Sequence, residues 1–170
     1  MLIDKFVEKT FGNKTIKILE LGSGDQADAL KVTDKMNGEY IAVDKLDCDN
    51  PTNNITFIKN DYSDIANIDK LINKKNFDLI FSNYSICFNT KERILEFLPY
   101  YFNKIAAGGY FYLSDFCTDE EIVKRRTNLD SQWFFDLISA NFKTFEASRS
   151  EVFEKEHNHN HRIFELVAVK

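Results

Sequence analysis

The chain has 170 residues, 44% of them hydrophobic, which suits one domain with a full core. Its formal net charge of -5 argues against a nucleic-acid backbone as the main partner, because phosphate binding needs a basic surface. No apolar run approaches the ~20 residues that cross a bilayer, and Met1-Leu2-Ile3-Asp4-Lys5 is too charged for a signal peptide. Cys48, Cys87 and Cys117 lie far apart and lack metal-ligand spacing, so the expected compartment is a reducing, cytoplasmic one.

Strands and helices alternate along the chain. Residues 2–11 read as a short helix and residues 16–21 as the first strand. A helix is expected over 25–37, stopped by Asn37-Gly38 as a C-terminal cap. The second strand is Tyr40 to Asp44, followed by a loop over 46–54 that carries Pro51. The third strand is 55–59, and a helix over 64–75 shows one apolar face. The fourth strand is 77–82. The next helix begins near Asn89, which forms a capping box with Glu92, and runs to Ala107-Gly108-Gly109 with a kink or break at Pro99. The fifth strand is 110–114. Thr118 and Glu121 suggest another capping box. Lys124, Arg125 and Arg126 then form either a solvated helix face or a local basic patch. A helix over 131–141 aligns Trp133, Phe134, Leu137 and Ile138 for core packing. Strands over 144–154 and 162–169, joined by a short polar turn, pair antiparallel.

This alternation implies right-handed crossovers and a mostly parallel sheet covered on both faces. Ligands on such sheets bind at the C-terminal ends of the strands. The first strand ends in Glu20-Leu21-Gly22-Ser23-Gly24-Asp25, an acidic residue followed by a glycine turn that opens a helix. Glu20 would sit badly beside a pyrophosphate and well beside an ammonium. Gly22 to Ala27 also fits a loose dinucleotide fingerprint, with Asp44 about 20 residues on as the ribose acid. Against a nicotinamide enzyme stand the acid in a buried strand, the lack of a second domain and the closing hairpin.

These motifs, in order, resemble those of the class I S-adenosylmethionine-dependent methyltransferases over residues 16 to 170. Glu20 to Gly24 resembles the first motif, Tyr40 to Asp44 the second, and Asn60-Asp61-Tyr62 the segment that contacts adenine. Phe77 to Ile80 with Asn83-Tyr84-Ser85 resembles the fourth motif, and Ala106 to Phe111 the turn before strand five. The resemblance implies a single α/β Rossmann-like methyltransferase domain, doubly wound, with a mixed seven-stranded sheet in the order 3-2-1-4-5-7-6. It implies S-adenosyl-L-methionine as cofactor, held by Glu20, Gly22, Ser23, Gly24, Asp44, Asp61, Tyr62 and Asn83. It also implies a small-molecule methyl acceptor and no metal, with Tyr84, Asp115 and His161 as candidates for catalysis. The strings Asn83 to Phe88 and His161 to Ala168 look most like small-molecule enzymes of the tellurite-resistance type.

Gln26 departs from the family pattern, standing where a third glycine is usual, and the helix after strand two is missing. A non-catalytic domain that binds a cofactor or a partner is therefore the alternative function, with a nicotinamide oxidoreductase behind it. A nucleic-acid methyltransferase fits less well, because Asn83-Tyr84-Ser85 lacks the Pro-Pro-Tyr/Phe that holds an extruded base. His157, His159 and His161 share one face of an extended strand. They suit an exposed turn, a substrate or acid–base role, or a metal site.

Overall fold

The computed structural model describes residues 2–47, 54–72, 75–117, 127–154 and 159–170. The capping box at Thr118, the basic run 124–126, Cys48, Pro51 and His157 lie outside these residues. Seven strands form one sheet in the order β3-β2-β1-β4-β5-β7-β6. They are β1 Thr15–Leu21, β2 Asn37–Asp44, β3 Thr56–Lys59, β4 Phe77–Asn83, β5 Ile105–Phe116, β6 Thr144–Glu154 and β7 His159–Val169. The first five pair in parallel, and β7 runs antiparallel to both β5 and β6. The predicted strand order and closing hairpin are observed.

The central strands are apolar on both faces because helices cover both. Leu19, Leu21, Ile41 and Val43 point into one core cluster, packed by α3 Ile65–Ile72, α4 Lys91–Asn103 and α5 Gln132–Asn141. The alternate residues Ile18, Tyr40 and Ala42 point into the other, under α1 Ile3–Phe11 and α2 Ala27–Thr33. Phe102, Phe111 and Phe142 meet at ring-centroid distances of 4.8 to 6.2 Å and close the first cluster behind β5. As expected of a core helix, α5 buries Phe134 and Ile138, with Trp133 and Leu137 packed beside them.

Several expectations need correction. The helix after β1 ends at Thr33, and Gly38 lies inside β2 opposite Ile16. A Cβ there would stand 1.9 Å from the Ile16 carbonyl oxygen, so this glycine permits a close strand pairing and caps no helix. The helix before β5 begins after Thr90, whose side chain accepts from Arg93 N. It passes through Pro99 without a break and stops at Asn103. Gly108 and Gly109 instead belong to β5, where the pairing shifts from Phe77↔Ile105 to Leu79↔Tyr110. Among the described residues no helix is long and apolar enough to cross a membrane.

Candidate active site

The C-terminal ends of β1, β2 and β4, with the loops that leave them, line a cleft of about 600 Å³. All eight residues expected to hold a cofactor lie on its wall: Glu20 near the end of β1 with Gly22, Ser23 and Gly24 after it, Asp44 at the end of β2, Asp61 and Tyr62 after β3, and Asn83 at the end of β4.

The glycine turn is anchored to β2, since Gly22 N and Ser23 N both donate to the Val43 carbonyl, at 2.8 and 3.3 Å. Gly22 has φ +79°, and a Cβ on it would meet Ser85 Oγ at 1.8 Å. The missing side chain therefore lets the loop after β4 close onto the turn. Gln26, where a third glycine was expected, also adopts a left-handed φ of 62°. Its side chain is buried, and Gln26 is not among the residues lining the cleft. Gln26 thus takes the left-handed backbone a glycine would take, and its buried amide Nε2 and Oε1 find no partner among the described residues.

Glu20 is 2% exposed and accepts a 2.8 Å hydrogen bond from the Tyr40 hydroxyl. Burial pushes its carboxyl up to about 8; the Tyr40 bond opposes the rise, and Asp28, Asp44 and Asp25 add to it. Asp44 is held by two backbone donors, Gly24 N and Leu46 N, both at 2.9 Å. Each of its oxygens keeps a lone pair for a ligand hydroxyl. Asp61 is exposed, and one of its oxygens accepts from Ser63 N and Oγ, at 2.8 and 2.7 Å.

Tyr62 ties two loops together. Its hydroxyl donates to the Ser85 carbonyl at 2.9 Å and accepts from Asn89 Nδ2 at 2.8 Å. Burial pushes that hydroxyl up to about 12. Asn83 donates to Asp28 at 2.6 Å. Asn83 Oδ1 and Ser23 Oγ are buried without a partner among the described residues, although both residues line the cleft.

The three expected catalytic residues are placed unequally. Tyr84 lines the cleft at φ 52°, with its N–H on the Ser114 carbonyl at 2.9 Å. Burial raises its hydroxyl above the ordinary phenol value. Asp115 is fully buried and is not among the cleft's lining residues. It accepts from Phe116 N at 2.8 Å and Cys87 N at 3.3 Å. His161 also lies off the wall. Its ring packs 5.2 Å from Phe116, which in turn packs 4.9 Å from Tyr84. Among the described residues no group of three or more His, Cys, Asp or Glu could hold a metal.

Sequence reasoning missed Asp28, Phe88 and Asn89, which also line the cleft. Asp28 lies in the first turn of α2, four residues past Gly24, and that helical spacing was a usable signal. Asn89 had been assigned to capping, and its amide serves Tyr62 instead. The same wall that holds Asp28, Asn83 and Tyr84 also borders a second cavity of about 430 Å³. Its other walls come from distant parts of the chain, including Leu2, Tyr112, Val152 and Glu165.

No known family's sequence profile matches this chain, and no curated protein does. Solved structures match it along nearly its whole length. Precorrin-6y C5,15-methyltransferase from Geobacter metallireducens superposes with a TM-score of 0.65 at 12% identity, covering 99% of this chain and 88% of that one. The 1,6-didemethyltoxoflavin-N1-methyltransferase of Burkholderia thailandensis, bound to its substrate and S-adenosylhomocysteine, gives 0.68 at 15% identity, covering 98% and 76%. An rRNA methylase from Streptococcus thermophilus gives 0.62 at 11%, covering 99% and 95%. The chain thus has the Rossmann-like methyltransferase fold.

Proposed function

We propose that this protein is an S-adenosylmethionine-dependent methyltransferase acting on a small molecule. The observation that carries the reading is the acidic lining of the cleft: Asp25, Asp28, Asp44 and Asp61 line it, with the Glu20 carboxyl protonated up to about 8, and Lys45 is the one cation among its described lining residues. That wall suits a cofactor with a sulfonium and an ammonium, and repels the pyrophosphate of a dinucleotide. The unpartnered Ser23 Oγ and Asn83 Oδ1 fit a polar ligand in the same place.

In this reading Asp44 accepts from the ribose hydroxyls and Asp61 from the adenine amino group, with Tyr62 beside the ring. Glu20 faces the ammonium, and the Gly22–Gly24 turn carries the methionine portion. Asn83 and Tyr84 stand at the methyl end. When bound, the cofactor supplies an activated methyl group on sulfur. The chain's own task is to align an acceptor with it, an effect worth several kcal/mol or more in well-oriented systems. Asp115 serves that alignment indirectly, because its bonds to Cys87 N and Phe116 N fasten the loop after β4 to the end of β5.

A small acceptor is favoured by the second cavity, whose volume of about 430 Å³ fits a molecule and not a duplex. The tellurite-resistance subtype rests on two short strings, and carboxylates on this cavity disfavour an oxyanion. The cysteine spacing suits a reducing cytoplasm.

The test is transfer of labelled methyl from S-adenosylmethionine in the presence of a metabolite extract and of total RNA. Label in the low-mass fraction alone supports the proposal. Label in RNA alone contradicts the acceptor class, and cofactor binding without any transfer favours the non-catalytic alternative.

A further inference from the structure

The second cavity differs in chemistry from the cleft that it borders. Its body is apolar and aromatic: the Tyr84 and Tyr112 rings, Ile163, and the side chains of Leu2 and Val152, which are 62% and 48% exposed. Its ionisable groups are Asp28, Glu151 and Glu165, with Lys5 as the one cation among its lining residues. Lys5 sits on the exposed side of α1. Glu165 is half-buried on β7 and accepts a 2.8 Å hydrogen bond from the Tyr112 hydroxyl. Asp28 is fixed by Asn83 at the junction with the cleft. Two oriented carboxylates thus stand on a partly apolar cavity, Asp28 where it meets the cleft and Glu165 away from the cleft lining.

We propose that the methyl acceptor is a small, aromatic nitrogen nucleophile, an arylamine or aza-heterocycle, seated against the exposed Tyr84 ring with its nitrogen toward Asp28 and Glu165. The proposal rests on the methyltransferase reading and names the substrate class for it. The chemistry balances simply. The nitrogen lone pair forms the bond to the methyl carbon while the carbon–sulfur bond breaks and its electron pair stays on sulfur. Positive charge moves onto nitrogen; an arylamine then loses its N–H proton to water, whereas a pyridine-type ring nitrogen leaves as the N-methyl cation. Fixed carboxylates stabilise that developing charge without reorganising. They also disfavour phenolates, carboxylates and oxyanions, which arrive negative. A neutral arylamine or pyridine-type ring nitrogen needs no base before attack, consistent with tyrosine hydroxyls that burial pushes up on this wall.

The experiment uses the full chain and a panel of arylamines, aza-heterocycles, phenols, carboxylic acids and inorganic oxyanions. S-adenosylhomocysteine release is followed, and the cofactor dissociation constant is measured in parallel. Turnover confined to nitrogen acceptors is expected, with Glu165→Gln raising their KM about tenfold while cofactor affinity holds. Tyr112→Phe, which keeps the carboxylate and removes its anchor, should raise KM by a smaller factor and covers the case in which Glu165→Gln fails to fold. Turnover of phenols or oxyanions in preference to nitrogen compounds overturns the inference. So does cofactor binding with no nitrogen acceptor turned over, an outcome that leaves the cofactor reading standing. Failure of the cofactor itself to bind overturns both.

Discussion

The cleft and the cavity beside it are built from different kinds of neighbour. The cleft is assembled from strand ends that lie side by side in the sheet, and its acids are pinned by nearby backbone: Asp44 by Gly24 N and Leu46 N, Asp61 by Ser63 N. The cavity is assembled from the first residues of the chain, the end of β5 and the closing hairpin, with Leu2 and Glu165 at opposite ends of the sequence. A site built from local turns writes itself into short motifs. A site built from long-range packing does not, and specificity in this fold resides in the second kind.

The largest expected effect tests how tightly the cleft is built. Gly22→Ala adds a Cβ against Ser85 in a left-handed backbone and should cost about 2–4 kcal/mol, read by urea unfolding. Gly24→Ala shares the left-handed backbone but meets nothing within 4 Å, so about 1 kcal/mol is expected. Equal costs would show that the turn, and not the closure of the loop after β4, demands glycine at position 22.

Tyr40→Phe removes the buried donor to Glu20 and should cost about 1–2 kcal/mol by the same measurement. Glu20→Gln addresses charge. Below pH 4.5, the ordinary value, the carboxyl is protonated in both folded and unfolded chains and contributes nothing. Between 4.5 and about 8 only the unfolded chain ionises, so stability falls as pH rises, and above about 8 the loss is complete. The variant should lack that fall. Cofactor affinity should run the other way in the wild type. It gains from about pH 7 to about pH 8 relative to Glu20→Gln, as Glu20 ionises toward the ammonium while that ammonium itself begins to lose its proton. The smallest effect belongs to the cavity rim. Leu2→Ser should change stability by less than about 0.5 kcal/mol and leave cofactor affinity alone, while raising acceptor KM.

The contrast explains what could be read from the sequence. Glu20, the glycine turn and Asp44 were legible because each sits at a strand end, where period and turn chemistry coincide. The closing hairpin was legible from two strand-like runs separated by a short polar turn. Gly38 was misread as a helix stop because its reason lies in Ile16 across the sheet, 22 residues away. Asn89 looked like a cap because its partner, the Tyr62 hydroxyl, is 27 residues earlier. Asp115 carries no local mark of burial, since its donors include Cys87 N, 28 residues back. The pairing of Glu165 with Tyr112 spans 53 residues and left no signal at all.

The account stands or falls on the cofactor. Calorimetry of S-adenosylmethionine and S-adenosylhomocysteine, with NAD as control, on the wild type and Asp44→Ala tests it most directly. The account predicts binding of both adenosyl compounds, weakened about tenfold to a hundredfold in the variant, and no binding of NAD. A folded wild-type protein that ignores both compounds, or that prefers NAD, would contradict it.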